Sequence, residues 1–117
     1  MRRKAAKHEL PPPLELACLR ALWQLGEGTV HDVRRVLSKE RILAYTTVLT
    51  LLVRLEKRGY AARRKPGRSF LYRPKLTRDT MRERALKQLL HGYFDGSTDA
   101  LLGYLRGHTK HESVRTL

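Results

Sequence analysis

The sequence predicts a mainly α fold with one small β hairpin: a winged helix-turn-helix followed by a short α-helical dimerisation appendage. Three observations carry this reading. The stretch from Leu43 to Gly59 places Val48, Leu51, Leu52 and Leu55 at helical spacing, opposite a face of hydroxyls and cations. Two shorter helical patterns precede it, and two short extended runs around Pro66-Gly67 follow it as a hairpin. The charge is also lopsided: residues 1–75 hold 18 Lys/Arg and 6 Asp/Glu, whereas residues 76–117 hold 7 and 5.

A chain of 117 residues buries one modest core, so one compact domain with an appendage is expected. The net charge of +14 points to a polyanionic partner, nucleic acid before membrane, held by the first two-thirds of the chain. With Cys18 as the single cysteine, neither an intrachain disulfide nor a cysteine zinc site is available. No apolar run approaches a membrane span, and Met1-Arg2-Arg3-Lys4 lacks the apolar core of a signal peptide. A cytoplasmic protein without membrane insertion is the expectation.

Taken in order, residues 1–12 read as a basic disordered arm that ends in Pro11-Pro12-Pro13, whose prolines preset the first helical dihedrals. The winged-helix domain is assigned to residues 13–75. Its first helix, Leu14 to Leu25, shows one apolar line through Leu14, Ala17, Cys18, Ala21, Leu22 and Leu25 and a second through Leu16, Leu19 and Trp23. Burial on two sides suggests two packing partners, the domain itself and the appendage. Cys18 reads as a small buried thiol. Gly26-Glu27-Gly28 breaks the helix, Thr29 caps the next, and Thr29-Val30 offers a short strand. The second helix buries Val30, Val33, Val36 and Leu37 and turns Arg34, Arg35 and Lys39 outward. Ala44 occupies the cap position of the third helix, which therefore begins weakly, supported by packing of Tyr45.

Gly59 closes the third helix, as a left-handed residue commonly does. In the hairpin that follows, Phe70 and Tyr72 are expected to alternate inward, with Arg64, Lys65 and Arg68 at the tip. Pro74 ends it. Thr77 caps a fourth helix from Arg78 to about His91, with Met81, Ala85, Leu86, Leu89 and Leu90 in line. A turn at Tyr93-Phe94-Asp95-Gly96 leads to Ser97, which caps a short fifth helix bearing Leu101, Leu102, Tyr104 and Leu105. Neither helix is long enough to stand alone in water, so residues 76–107 are read as a helical dimerisation region. Residues 108–117 are read as a flexible tail. His108 and His111 stand three apart without a cysteine nearby, so no metal or other cofactor is expected.

The chemistry concentrates on the third helix. Steps of about 100° per residue bring Thr46, Thr50 and Lys57 together, with Thr47 and Arg54 at the edge of that face. A threonine offers a donor, an acceptor and a methyl for thymine, and arginine or lysine reaches phosphate. A solvated Thr/Lys face on an ordinary amphipathic helix would look the same. The basic hairpin directly after it favours double-stranded DNA, since helix and wing then address one side.

These residues also resemble a family. The run Glu15-Leu16 through Trp23, Thr29-Val30 with Val33, Thr47 to Leu55 with Lys57 and Gly59, and Gly67-Arg68 with Phe70 and Tyr72-Arg73-Pro74 resemble the penicillinase-repressor family of the BlaI/MecI type. The resemblance spans roughly residues 13 to 106. It implies a homodimeric winged-helix repressor on inverted-repeat operators, relieved in many members by a membrane metalloprotease sensor and in others by copper. It also implies base contacts from Thr46, Thr47 and Thr50. Phosphate contacts would come from Arg54, Lys57 and the wing residues Arg64, Lys65 and Arg68. Dimerisation would fall to Leu86, Leu89, Leu90, Leu101, Leu102, Tyr104 and Leu105. The chain departs from the family in three places. It lacks the C-terminal cysteine cluster of the copper-responsive relatives. Gly103-Tyr104 stands where the family has its Asn-Phe cleavage pair, and a short polar tail replaces a further helix.

Other functions fit less well. No serine or cysteine lies in a nucleophile motif and no glycine loop cradles phosphate, so an enzyme is not expected. A winged-helix protein–protein interaction module is the alternative, which Leu49 and Val53 near the third-helix face keep open. RNA binding would favour an exposed aromatic platform, which the sequence does not offer.

Overall fold

The structure, a computed structural model, describes residues 10–111. Helix α1 spans Pro13–Leu25, α2 Val30–Leu37 and α3 Tyr45–Lys57; strands β1, Ala61–Arg64, and β2, Leu71–Pro74, form the wing; α4 spans Arg78–Tyr93 and α5 Thr98–His111. Most of the arm assigned to residues 1–12 lies outside the described residues. Of the tail, residues 108–111 continue α5 rather than fraying, and the rest lies outside. Helix α4 likewise runs two residues past His91.

Each boundary has local chemistry behind it. The Thr29 hydroxyl accepts the Asp32 N–H at 3.1 Å while the Asp32 carboxylate accepts the Thr29 N–H at 2.9 Å, a reciprocal cap. Thr77 accepts from the Thr80 N–H at 3.0 Å and Ser97 from the Ala100 N–H at 3.0 Å. Helix α3 has no such cap at Ala44; the Tyr45 ring instead packs on His31, centroids 4.7 Å apart. At its other end Gly59 takes φ +88°, and the Tyr60 N–H reaches back to the Leu55 carbonyl at 2.9 Å. Leu55 and Tyr60 are both fully buried, so this stop is held by packing as well as by hydrogen bonds.

The core is built by α1, α2, α3 and the wing: Cys18, Leu19, Leu22, Val33, Val48, Leu52, Leu55, Tyr60 and Tyr72 have no exposed surface. Each large member is worth about 1.5–3 kcal/mol of burial. The buried face of α1 is rotated from the expected one. It is centred on Cys18, Leu19 and Leu22, so Leu19 belongs to the core, Leu25 is left exposed, and Leu16 and Trp23 are half-buried. Glu15 sits in this face, buried, with one oxygen 3.2 Å from an Arg58 guanidinium nitrogen at the end of α3. Burial, with the Glu15 carboxylate close by, pushes the Cys18 thiol up to about 12, so it stays protonated and unreactive.

The wing pairs β1 and β2 antiparallel, Ala61 opposite Pro74 and Arg64 opposite Leu71. On the far edge of β2 the expected strand at Thr29-Val30 does not form, because Thr29 is engaged as a cap. Gly28 takes the role, exchanging hydrogen bonds with Tyr72 at 2.9 and 2.8 Å. A side chain at Gly28 would stand 3.0 Å from the Leu25 side chain and 3.1 Å from the Asp32 side chain, so the approach depends on glycine. Phe70 does not turn inward with Tyr72. It precedes β2, stays 36% exposed, and is covered by the Arg63 guanidinium 4.2 Å above its ring.

Beyond the wing, Met81 of α4 is the only buried core residue among those described. Trp23 marks the junction, its indole N–H donating to the Leu76 carbonyl at 2.8 Å. Helices α4 and α5 then project, joined by a turn with positive φ at Asp95 and Gly96 and by the Phe94–Tyr104 ring contact at 5.7 Å. The radius of gyration is accordingly 17.0 Å, against about 13 Å for a compact domain of some 100 residues.

Candidate nucleic-acid interface

Helix α3 is aimed by its neighbours. Val48, Leu51, Leu52 and Leu55 anchor one side in the core. The Arg34 side chain, expected to face outward, is half-buried and donates from Nε to the Leu43 carbonyl at 2.8 Å, tying α2 to the connection before α3. On the opposite side Thr46, Thr47, Thr50, Arg54 and Lys57 are all exposed, with Leu49 and Val53 half-buried at the margin. The sequence grouped these side chains on one face, and the fold places them there.

The hydroxyls are not equivalent. Thr50 Oγ1 donates to the Thr46 carbonyl at 2.9 Å, so its proton is used within the helix and only its acceptor capacity and methyl face outward. No hydrogen bond engages the Thr47 hydroxyl among the described residues. Of the two, Thr47 therefore keeps both its donor and its acceptor available to an external group. Thr47→Val is expected to cost about 1–3 kcal/mol on a preferred DNA site and little on random DNA. Thr50→Val should cost visibly less. Competition titrations against both DNAs check this; equal losses on both would mean that the threonines only position the helix.

The wing cations divide into two groups. Arg64 is forked onto Glu27, Nε to Oε2 at 2.7 Å and a terminal nitrogen to Oε1 at 2.9 Å. That pairing holds the Glu27 carboxyl below the usual carboxylate range, chiefly through the hydrogen bond from Arg64, and raises Arg64 in turn. The sign follows directly: the contribution is present above the ordinary glutamate range and is lost as the pH falls through the lowered value. At neutral pH the fork is intact. Arg63 is similarly occupied, 3.5 Å from Glu56 and stacked on Phe70. Lys65 and Arg68 at the tip, like Arg54 and Lys57 on α3, make no ion pair among the described residues. By residue type alone Arg64 groups with Lys65 and Arg68, because its acidic partner lies 37 residues earlier, beyond any local pattern.

The dimerisation candidates behave as a partly uncovered set. Leu90 and Leu101 are half-buried, and Leu86, Leu89, Leu102, Tyr104 and Leu105 are exposed. No helix among the described residues is long and apolar enough to cross a membrane.

A model of the penicillinase repressor family matches residues 12–113. The chain is 26% identical over 88 residues to the penicillinase repressor of Bacillus licheniformis, covering 75% of this chain and 69% of that protein. It is 41% identical over 69 residues to the transcriptional regulator BlaI of Mycobacterium tuberculosis, covering 58% of this chain and half of that protein. Among solved structures, the DNA-binding domain of the repressor BlaI is similar with a TM-score of 0.55 and 26% identity, over 65% of this chain and 92% of that one. Monomeric Bacillus licheniformis BlaI in complex with the blaP half-operator is similar with a TM-score of 0.53 and 28% identity, over 66% and 92%.

Proposed function

The chain belongs to the penicillinase repressor family, and from that premise we propose that it is a sequence-specific transcriptional repressor that binds an inverted-repeat DNA operator as a homodimer. The observation that carries the proposal is the exposed face of α3, where Thr46, Thr47, Thr50, Arg54 and Lys57 stand together, with no carboxylate paired to their cations among the described residues. In this reading α3 enters the major groove, the threonines meet base edges, and Arg54 and Lys57 meet phosphates. Lys65 and Arg68 extend the phosphate contacts from the wing. Arg64 holds the wing against Glu27 and is a positioning residue. Two copies joined through α4 and α5 match the two half-sites of the operator.

Salt dependence tests the assignment of the cations. Each phosphate neutralised contributes about −0.9 to the slope of log affinity against log salt, so Arg68→Ala should make the slope shallower by about one. Arg64→Ala should leave it nearly unchanged while lowering affinity through a displaced wing. Salt-insensitive binding to duplex DNA would reject the phosphate contacts altogether. A slope lost with Arg64 and kept without Arg68 would exchange their roles.

A membrane metalloprotease partner would have to open α5 at Gly103-Tyr104. A glycine weakens a helix interior by roughly 1 kcal/mol relative to alanine, which makes local opening accessible. The family's asparagine is absent from that pair, however, and we propose that release from the operator does not depend on rapid cleavage there.

A further inference from the structure

A groove of about 350 Å³ runs between α1 and the start of α4. Its apolar surface includes Leu16 and Trp23 of α1 and Met81 and Ala85 of α4, and three guanidinium groups, Arg20, Arg78 and Arg82, line it with them. We propose that this groove binds a small amphipathic carboxylate, its apolar body against Trp23 and Met81 and its head group on the arginines. The groove is separate from the α3 face, and the inference does not rest on DNA binding.

Three observations favour that occupant. The first is charge. Arg20 makes no ion pair among the described residues, and Arg78 is engaged only by the Trp23 ring, 5.4 Å from its centroid. Arg82 lies 3.3 Å from Asp79, but those side chains are 68% and 90% exposed, so the pair is weak. Guanidinium forks match a carboxylate in geometry as well as in sign. The second is size: the volume lies at the lower end of small-molecule sites, about 300–1,000 Å³. The third is that the chain's own segments are poorly matched. The arm that joins the groove at Leu10 carries Arg2, Arg3, Lys4 and Lys7 against Glu9 alone, and residues 76–117 of a second copy carry a net +2. Either would bring like charge to the arginines. A ligand seated here touches both the winged-helix body and the first helix of the appendage, so it is placed to set the angle between them.

Trp23 is the only tryptophan in the chain, which makes the groove its own reporter. The experiment titrates the full chain, without DNA, with octanoate and with uncharged octanol while following tryptophan emission. A saturable response to octanoate is expected, with octanol at least ten-fold weaker. Combined Arg20→Gln and Arg78→Gln should weaken octanoate at least ten-fold and leave octanol unchanged; both arginines are exposed, and circular dichroism checks that the fold is kept. Ala85→Phe, at an exposed position on the groove, should block both. The proposal is overturned by a response that does not saturate, by equal affinity for octanol, or by octanoate binding that survives the double substitution.

Discussion

Leu101→Asp combined with Leu105→Asp is expected to give a folded monomer whose affinity for a two-half-site operator is lower by about 10²- to 10⁴-fold, the gain that linking two binding modules supplies. The winged-helix core is complete without α5: its members come from α1, α2, α3, the wing and Met81. A charge on α5 therefore has little to disturb in the body of the domain. The same charge would be costly in the proposed dimer interface, because Leu86, Leu89 and Leu102 are each 39–46% exposed in the single chain, apolar surface that a second copy would bury. Sedimentation, a thermal melt and operator titration together check the expectation. Half-operator affinity should stay close to that of the unsubstituted protein. An unsubstituted chain that remains monomeric at high concentration and still binds the full operator tightly would remove the case for a dimer.

The second large effect is on stability. Arg58→Ala leaves the Glu15 carboxylate without its ion partner in the α1 face, where its side chain is only 4% exposed. Breaking a fully buried pair costs about 3–5 kcal/mol; the Arg58 side chain is 39% exposed, so we expect about 2–3 kcal/mol here. That corresponds to a fall in Tm of about 10–20 °C. Glu15→Leu should behave differently. It removes the buried charge, and the freed guanidinium can turn to water, so the change should stay within about 1 kcal/mol. Denaturant unfolding of the two variants decides the matter: equal losses would show that the pair stabilises through its attraction rather than by compensating a buried charge.

Much of the architecture was legible because it is written at short range. The spacing of Val48, Leu51, Leu52 and Leu55, the stop at Gly59, and the caps Thr29, Thr77 and Ser97 each act within a turn or two of the chain, and all appear in the structure. What escaped depends on partners distant in sequence. The rotation of the α1 face accompanies the Glu15–Arg58 pair, 43 residues apart, and the engagement of Arg64 follows from Glu27. Phe70 was misplaced because strand alternation was extended one residue too far, past the start of β2 at Leu71. The strand expected at Thr29-Val30 lost to a competing use of the same residues as a helix cap. Helix α5 runs longer than its polar composition suggested; Tyr104 and His108, one turn apart with rings stacked at 5.3 Å, support its second half. For the candidate interface, residue type and helical period sufficed to gather the α3 side chains. They could not show which threonine had already spent its proton.

The exposed face of α3 contributes no side chain to the core. Substitutions at Thr46, Thr47 or Thr50 thus fall among surface changes that usually alter stability by no more than about 0.5 kcal/mol. Threonine is moreover a mediocre helix former, so many replacements there would strengthen the helix slightly. The proposed reading surface is in this sense a replaceable part. After a gene duplication, one copy could drift to a new target sequence through a handful of changes without passing through an unfolded ancestor. The Leu55–Tyr60 stop, by contrast, joins α3 to the wing within the buried core, and inheritance there has far less room to move.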